Sequence, residues 1–153
     1  AGRAEALLRQ SIQRHPNDAP SLHTLAWLLL TRGQAGEARP LAARALELSP
    51  DDAGTLATLG RIELAGRNLE PAESLLRRSI AADATRIDAL VGLAGVLRAQ
   101  GRTLEARDVL QQIDRLGQTG PTTSSLAAAE RGIPVYLRQE LEELREALSG
   151  AND

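Results

Sequence analysis

Apolar residues recur along this chain with a period of 34 residues. Two families of leucines show the period, namely Leu22, Leu56 and Leu90, and Leu25, Leu59 and Leu93. A third family consists of alanines, namely Ala4, Ala38, Ala72 and Ala106. Self-similarity at a fixed period of this size indicates a repeat architecture in which one supersecondary unit stacks on the next.

Each period predicts two helices joined by a short turn. In the first half, an i, i+3, i+4, i+7 stripe is formed by Leu22, Leu25, Ala26 and Leu29. In the second half, a comparable stripe is formed by Ala38, Leu41, Ala42, Ala45 and Leu46. Such stripes are typical of amphipathic helices. The second helix should end at Ser49, because Pro50 cannot continue a helix and disfavours helical geometry at the residue before it.

Turn and cap residues recur with the same period. Acidic or amide side chains precede the first helix of two units, at Asn17 and Asp18 and again at Asp51 and Asp52. We expect an oxygen from each pair to cap the helix that follows. Between the two helices of a unit stand Gly33, Gly66 and Gly101, where glycine permits the left-handed turn that ends a helix.

The period also divides the chain. Residues 1–18 hold only the second helix of a unit, and residues 19–52, 53–86 and 87–116 form three further units. A loop is predicted over 117–125, where turn-forming residues replace the pattern. Residues 126–153 should hold two C-terminal helical pieces, 126–131 and 134–149. The second has a stripe of Leu137, Leu141, Leu144 and Leu148, which suits a capping helix or, alternatively, a docking helix for another subunit.

Composition narrows the classes of function. The net charge is −2 and all 18 basic residues are arginine, which argues against a polyanion partner. Trp27 and Tyr136 are the only aromatic residues, too few to stack a single strand of nucleic acid. Cysteine is absent, so neither disulfides nor thiolate metal sites are expected. The residue bias fits a bacterial gene, while the compartment stays open between cytoplasm and periplasm.

No catalytic constellation is visible. His15 and His23 lie in different elements without an acidic partner at a useful spacing, and no nucleophile, phosphate-loop or zinc-protease motif occurs. We therefore predict no enzyme activity, no cofactor and no metal site. The longest apolar run, from Leu25 to Leu30, is too short to cross a bilayer, so we expect a soluble protein without membrane insertion. The chain begins at Ala1, which suggests a processed chain or a fragment.

These residues resemble the tetratricopeptide repeat family. The resemblance covers about residues 1–116 and includes the L-x-x-L-[GA] pattern, the glycine between helices and the closing "LELSPDD". It implies an all-α, right-handed superhelical solenoid of antiparallel helix pairs, with about three full repeats, an N-terminal half repeat and a C-terminal capping helix. The chain departs from the family in three respects. Most of the family's large aromatic residues are replaced by leucine or alanine, Ala84 replaces a proline, and Glu63 occupies a normally apolar aromatic site.

The resemblance further implies a concave groove, lined by the first helices, that holds a peptide or helix of a partner protein. By alignment with the repeat, the groove residues are His23, Trp27, Leu30, Thr31, Ala57, Arg61, Leu64, Val91 and Arg98. Trp27 could anchor the partner or pack against the neighbouring unit. Arg61 and Arg98 could meet a carboxylate or phosphate, or could simply solubilise the surface.

The expected function is a non-catalytic protein-interaction scaffold. The alternative is the substrate-recruiting portion of a larger enzyme, such as a transferase. At the N-terminus, Leu7, Leu8 and Ile12 would face a helix that the chain does not contain. An unpaired apolar face of this kind favours association, so we predict that the chain forms a homo-oligomer through the half repeat, by self-association or by swapping elements.

Overall fold

A computed structural model describes residues 2–118, 133 and 135–150, and within these residues the chain forms helices and no strand. The helices are α1 (Gly2–Arg14), α2 (Ala19–Thr31), α3 (Ala35–Leu48), α4 (Ala53–Ala65), α5 (Leu69–Ala82), α6 (Ile87–Ala99), α7 (Thr103–Gln118) and α8 (Val135–Ser149). The expected all-α fold is therefore confirmed for the part of the chain that is described.

The helices pair into hairpins that stack along the chain. Within each hairpin α2 packs on α3, α4 on α5 and α6 on α7. Between hairpins α3 packs on α4 and α5 on α6, and the first helices α2, α4 and α6 also touch their neighbours directly. Each unit thus contacts mainly the next, as in a solenoid.

Small residues at the periodic positions bring the two helices of a hairpin close together. Ala38, Ala72 and Ala106 are fully buried. At Gly60 an added Cβ would lie only 2.7 Å from the Cγ atom of Leu76 and 3.3 Å from the carbonyl oxygen of Ala72. The core therefore depends on short side chains packed against leucine, because larger side chains would force the helices apart.

The turns between the paired helices differ from the prediction in the second unit. Gly33 and Gly101 have φ angles of 75° and 76°, in the left-handed region that glycine adopts without cost. In the second unit Gly66 has φ −81°, and the left-handed residue is Arg67 with φ 63°. The prediction for Gly66 was wrong, because the period of 34 residues aligns Gly33 and Gly101 with Arg67.

The predicted N-caps form in one of the two units. Asp52 caps α4, since its Oδ1 atom accepts a hydrogen bond of 2.7 Å from the backbone N–H of Thr55. Asp18 occupies the N-cap position of α2 but makes no such bond. Its carboxylate instead accepts a hydrogen bond from the hydroxyl of Ser21.

Glu63, the unexpected acidic residue of α4, is only 4% exposed and both of its carboxylate oxygens are paired. Arg39 of α3 donates to Oε1 at 2.6 Å, and Asn68 donates to Oε2 at 2.7 Å. A buried carboxylate is tolerated where it is paired and hydrogen-bonded. The polar residue at this apolar family position therefore links the first full hairpin to the second.

The chain ends can be compared with the predicted boundaries. Helix α7 continues to Gln118, two residues beyond the predicted end of the repeat at 116. The rest of the predicted loop and the predicted helical piece 126–131 lie outside the described residues. At the other end Leu7 is 58% exposed, while Leu8 and Ile12 are partly buried against the apolar cluster of the first hairpin. Self-association through this face remains a prediction.

In the described part of the chain, no helix is both long and apolar enough to span a bilayer.

Candidate functional site

The first helices of the three hairpins present a common face, which we call the inner groove. It comprises the predicted partner-binding residues of α2, α4 and α6: His23, Trp27, Leu30, Thr31, Ala57, Arg61, Leu64, Val91 and Arg98. Because α2, α4 and α6 pack side by side, positions 34 residues apart become neighbours across the groove. His23, Ala57 and Val91 form one such row.

The C-terminal helix α8 lies across the inner groove. At its start Tyr136 meets Trp27 of α2 edge to face, with ring centroids 5.7 Å apart and an interplanar angle of 72°. The indole Nε1 of Trp27 donates a hydrogen bond of 3.2 Å to the hydroxyl of Tyr136. One turn later Glu140 accepts a hydrogen bond of 2.8 Å from Arg61 of α4. Two of the predicted groove residues thus contact the chain's own last helix.

The far end of α8 is held by α7. The guanidinium of Arg145 donates to Asp114 at 2.5 Å, and Arg107 donates to the backbone carbonyl of Leu148. Between these ends, four leucines are at most 3% exposed and share one apolar cluster with Ala57 and Val91, namely Leu137, Leu141, Leu144 and Leu148. Helix α8 therefore runs from α2 past α4 to the last hairpin, with its leucine stripe buried.

Arg61 of α4 is fixed by groups from two other helices, α6 and α8. Its aliphatic stem lies over Gly92 of α6, where an added Cβ would come within 3.1 Å of Cγ. Its Nη1 atom lies 3.4 Å from the carbonyl oxygen of Asp88, and its Cζ atom lies 5.9 Å from the centroid of the Tyr136 ring. The side chain is 15% exposed. The structure pairs Arg61 with the carboxylate of Glu140 in the same chain, and contact with a partner's carboxylate or phosphate stays a prediction.

An open pocket of about 520 Å³ adjoins the start of α8. Its lining comes from α2, the α5–α6 turn, the start of α6 and α8: His23, Thr24, Trp27, Asp83, Thr85, Arg86, Ile87, Asp88, Tyr136 and Leu137. Arg86 pairs with Asp88 through two hydrogen bonds of 3.1 and 2.6 Å. Aromatic side chains line one edge of the pocket, and polar side chains line its wall. The pocket is a part of the inner groove that α8 leaves open.

His23 stands between this pocket and the core. Its Nε2 atom lies 3.1 Å from the hydroxyl oxygen of Thr58, and its ring packs against Gly54, where an added Cβ would come within 3.0 Å of Cε1. Burial lowers the pKa of the imidazole below its usual value, an effect that the nearby Asp52 carboxylate partly opposes. The neutral imidazole is therefore favoured at this position.

The remaining predicted residues are divided between surface and core. Ala57 and Val91 are fully buried, so neither presents a surface to a second protein while α8 is in place. Leu30 and Leu64 are partly buried against the apolar clusters. Thr31 and Arg98 are exposed, and the Thr31 hydroxyl donates to the carbonyl of Leu28 at 2.8 Å. Trp27 keeps 36% of its surface exposed.

Sequence reasoning missed Tyr136 and Glu140 as neighbours of the groove. One signal was available, because Tyr136 is the only aromatic partner that the chain offers to Trp27. A glutamate-rich helix also complements the arginines predicted for the groove. Among the described residues, no three His, Asp or Glu side chains converge as a metal site would require.

The stacked hairpins define an α-helical repeat protein. Two sequence profiles, each described as "Tetratricopeptide repeat", match residues 7–39 and 29–86. The chain belongs to the tetratricopeptide repeat family, whose members are in general interaction modules without catalytic activity. No curated protein sequence matches the chain.

Solved structures share the fold at low sequence identity. A crystal structure of MamA is 19% identical, with 95% of this chain and 85% of MamA covered and a TM-score of 0.64. A MamA fragment from Desulfovibrio magneticus RS-1 is 17% identical over 79% and 68% of the two chains, with a TM-score of 0.69. The first TPR domain of the human RPAP3 protein is 15% identical over 88% and 95%, with a TM-score of 0.65. At these identities the likeness shows the fold alone.

Proposed function

We propose that this protein is a non-catalytic interaction scaffold whose inner groove binds a helical segment of a partner protein. The predicted contact residues are those that line the groove around Trp27 and Arg61. The family assignment supports an interaction role, and the groove supplies the chemistry by which a partner would be held.

The observation that carries the proposal is the seating of α8. An amphipathic helix is recognised when its apolar face lies in a groove and a few polar groups fix its register. The inner groove accepts such a helix through buried Ala57 and Val91, through the edge of Trp27 and through the guanidinium of Arg61. A surface that holds one amphipathic helix has the shape and charge to hold another.

Trp27 is the residue expected to contribute most to partner binding. Large aromatic side chains often dominate the energetics of interfaces, where truncation costs about 2 kcal/mol or more. Trp27 is half-enclosed by Tyr136 and by the wall of the open pocket, and 36% of its surface is still exposed. A partner helix that takes the place of α8 can therefore contact it.

The test uses a fluorescein-labelled peptide of residues 133–150, the sequence of α8, as a helix of known pattern. It is titrated into the full chain carrying Glu140→Arg, which weakens the seating of the chain's own helix by placing two arginines together. We expect saturable binding, measured by fluorescence anisotropy. Adding Trp27→Ala should weaken this binding at least tenfold.

A matched control separates the groove from the rest of the surface. Leu104 of α7 is 75% exposed and lies outside the inner groove, so Leu104→Ala in the same Glu140→Arg chain should leave the affinity unchanged. Circular dichroism verifies that both variants keep their helices. Equal affinities for the Trp27→Ala and Leu104→Ala chains, or no binding to any of them, would contradict the proposal.

A further inference from the structure

We infer that α8 is an internal ligand of the inner groove, which a partner helix of the same pattern must displace. This inference rests on the proposed function, because it concerns the occupancy of the same site. From the contacts of α8 follow the residues that a partner helix must contain and the reason why the intact chain binds such a helix weakly.

The two halves of α8 are held differently. The first half buries Leu137 and Leu141, and its polar contacts with α2 and α4 are made by side chains near the surface, namely Tyr136 with Trp27 and Glu140 with Arg61. The second half is tied to α7, through Arg145 and Asp114 and through the carbonyl of Leu148. The first half covers the predicted partner site, whereas the second half closes the last hairpin. Displacement therefore concerns the first half above all.

The groove residues that α8 contacts determine which groups an incoming helix must supply. If α8 leaves, Arg61 loses the carboxylate of Glu140 and keeps only a long contact with the carbonyl of Asp88. An incoming helix that covers this guanidinium again without supplying an anion would leave a buried charge unpaired, so it needs a carboxylate at this point. Trp27 likewise loses the hydroxyl that accepts its N–H, and the incoming helix needs an acceptor or aromatic ring there.

The partner pattern follows from the spacing within α8. Leucines stand at 137, 141, 144 and 148, the aromatic residue directly precedes the first of them, and the glutamate follows three residues after it. We therefore expect a partner helix in which an aromatic residue is followed directly by a leucine. After two further residues of any type, an acidic residue and a second leucine should follow.

Tethering makes the internal helix a strong competitor. A segment joined to its own binding site through a short connection has an effective concentration in the millimolar range. The apparent dissociation constant of a free helix rises by the inverse of the fraction of chains whose groove is open. The intact chain should thus bind a free helix more weakly than a chain in which α8 is loosened.

Trp27 reports the position of α8 without any label. It is the only tryptophan, and Tyr136 at the start of α8 contacts its ring edge to face. Release of α8 should shift its emission to longer wavelength and increase its quenching by iodide. This measurement says directly whether a variant has opened the groove.

The experiment compares three full-length chains with the labelled peptide of residues 133–150: the unaltered chain, Glu140→Arg and Glu143→Arg. Glu143 is exposed on the same helix and contacts Gln139 rather than the groove, so it receives the same charge change without touching Arg61. We expect Glu140→Arg to red-shift the Trp27 emission and to bind the peptide about tenfold more tightly than the other two chains.

Each other outcome has a defined meaning. Equal affinities of all three chains, together with a red shift in Glu140→Arg, would overturn the inference and leave groove binding intact. No binding to any chain despite the red shift would overturn the proposed function as well. If Glu140→Arg causes no red shift, Leu137→Glu is used in its place, and circular dichroism verifies that this variant is folded. A red shift in Leu137→Glu with no change in its affinity for the peptide would again overturn the inference. Light scattering that shows a dimer of the unaltered chain, dissociating as Trp27 becomes exposed, would make a second copy the donor of α8 and would also overturn it.

Discussion

Arg67 holds the left-handed backbone position that glycine holds in the hairpins on either side. Its φ is 63°, against 75° at Gly33 and 76° at Gly101. The side chain of Arg67 is exposed and makes no hydrogen bond or ion pair with any other described residue. Replacing it by glycine therefore changes the backbone energy and little else.

The size of the effect follows from two opposing contributions. A non-glycine residue in the left-handed region costs about 1–2 kcal/mol relative to right-handed geometry. Replacing arginine by glycine removes this cost but adds another, because the conformational freedom of glycine in the unfolded chain costs about 0.5–1 kcal/mol on folding. We expect Arg67→Gly to raise the free energy of unfolding by about 0.5–1 kcal/mol. For a chain of this length that corresponds to roughly 2–3 °C in Tm.

The assay is thermal and urea unfolding followed by circular dichroism at 222 nm. Arg67→Ala is the control for the side chain, because it removes the guanidinium but keeps the Cβ atom and its strain. Gly33→Ala is the reciprocal test in the preceding hairpin. An added Cβ at Gly33 meets nothing within 4 Å, so its expected loss of about 1 kcal/mol is a backbone effect alone.

Two results would refute this reasoning. A gain in Arg67→Ala as large as in Arg67→Gly would mean that the arginine side chain, not the φ angle, limits stability. An unchanged Tm in Arg67→Gly, together with a clear loss in Gly33→Ala, would mean that the second turn relaxes to accommodate a side chain where the first does not.

Three further predictions concern buried contacts. Arg39→Ala leaves one oxygen of the buried Glu63 carboxylate unpaired, so it should lower the free energy of unfolding in urea by about 1–2 kcal/mol. In a Glu63→Leu background the same truncation should change that free energy hardly at all. Gly60→Ala should lower Tm because the added Cβ lies 2.7 Å from a leucine carbon, while Gly36→Ala, with nothing within 4 Å, should raise it through the helix propensity of alanine. His23 has a pKa below 6.5 in the folded chain, so stability should fall as pH falls from 6.5 towards that lower pKa, and Tm measured from pH 7.5 to 5.5 should vary less in His23→Gln.

Local features of the site were predictable from sequence to different degrees. The position of Trp27 on the first-helix face was predicted by alignment with the tetratricopeptide repeat, as the family resemblance implies. The left-handed residue of the second turn was missed, since the search for glycine led to Gly66 rather than to Arg67. The polar environment of Glu63 was also missed, because Arg39 reaches it from a neighbouring helix.

The sequence by itself determined the repeat, the helices, their pairing into hairpins and the membership of the family. These features depend on short-range spacing, which recurs from unit to unit and can therefore be recognised in the sequence alone. Only the tertiary structure decided where α8 lies. A leucine stripe shows that a helix will be buried, but it does not show against which surface. That choice is made by contacts such as Trp27 with Tyr136, 109 residues apart, where two distant surfaces match in shape and charge.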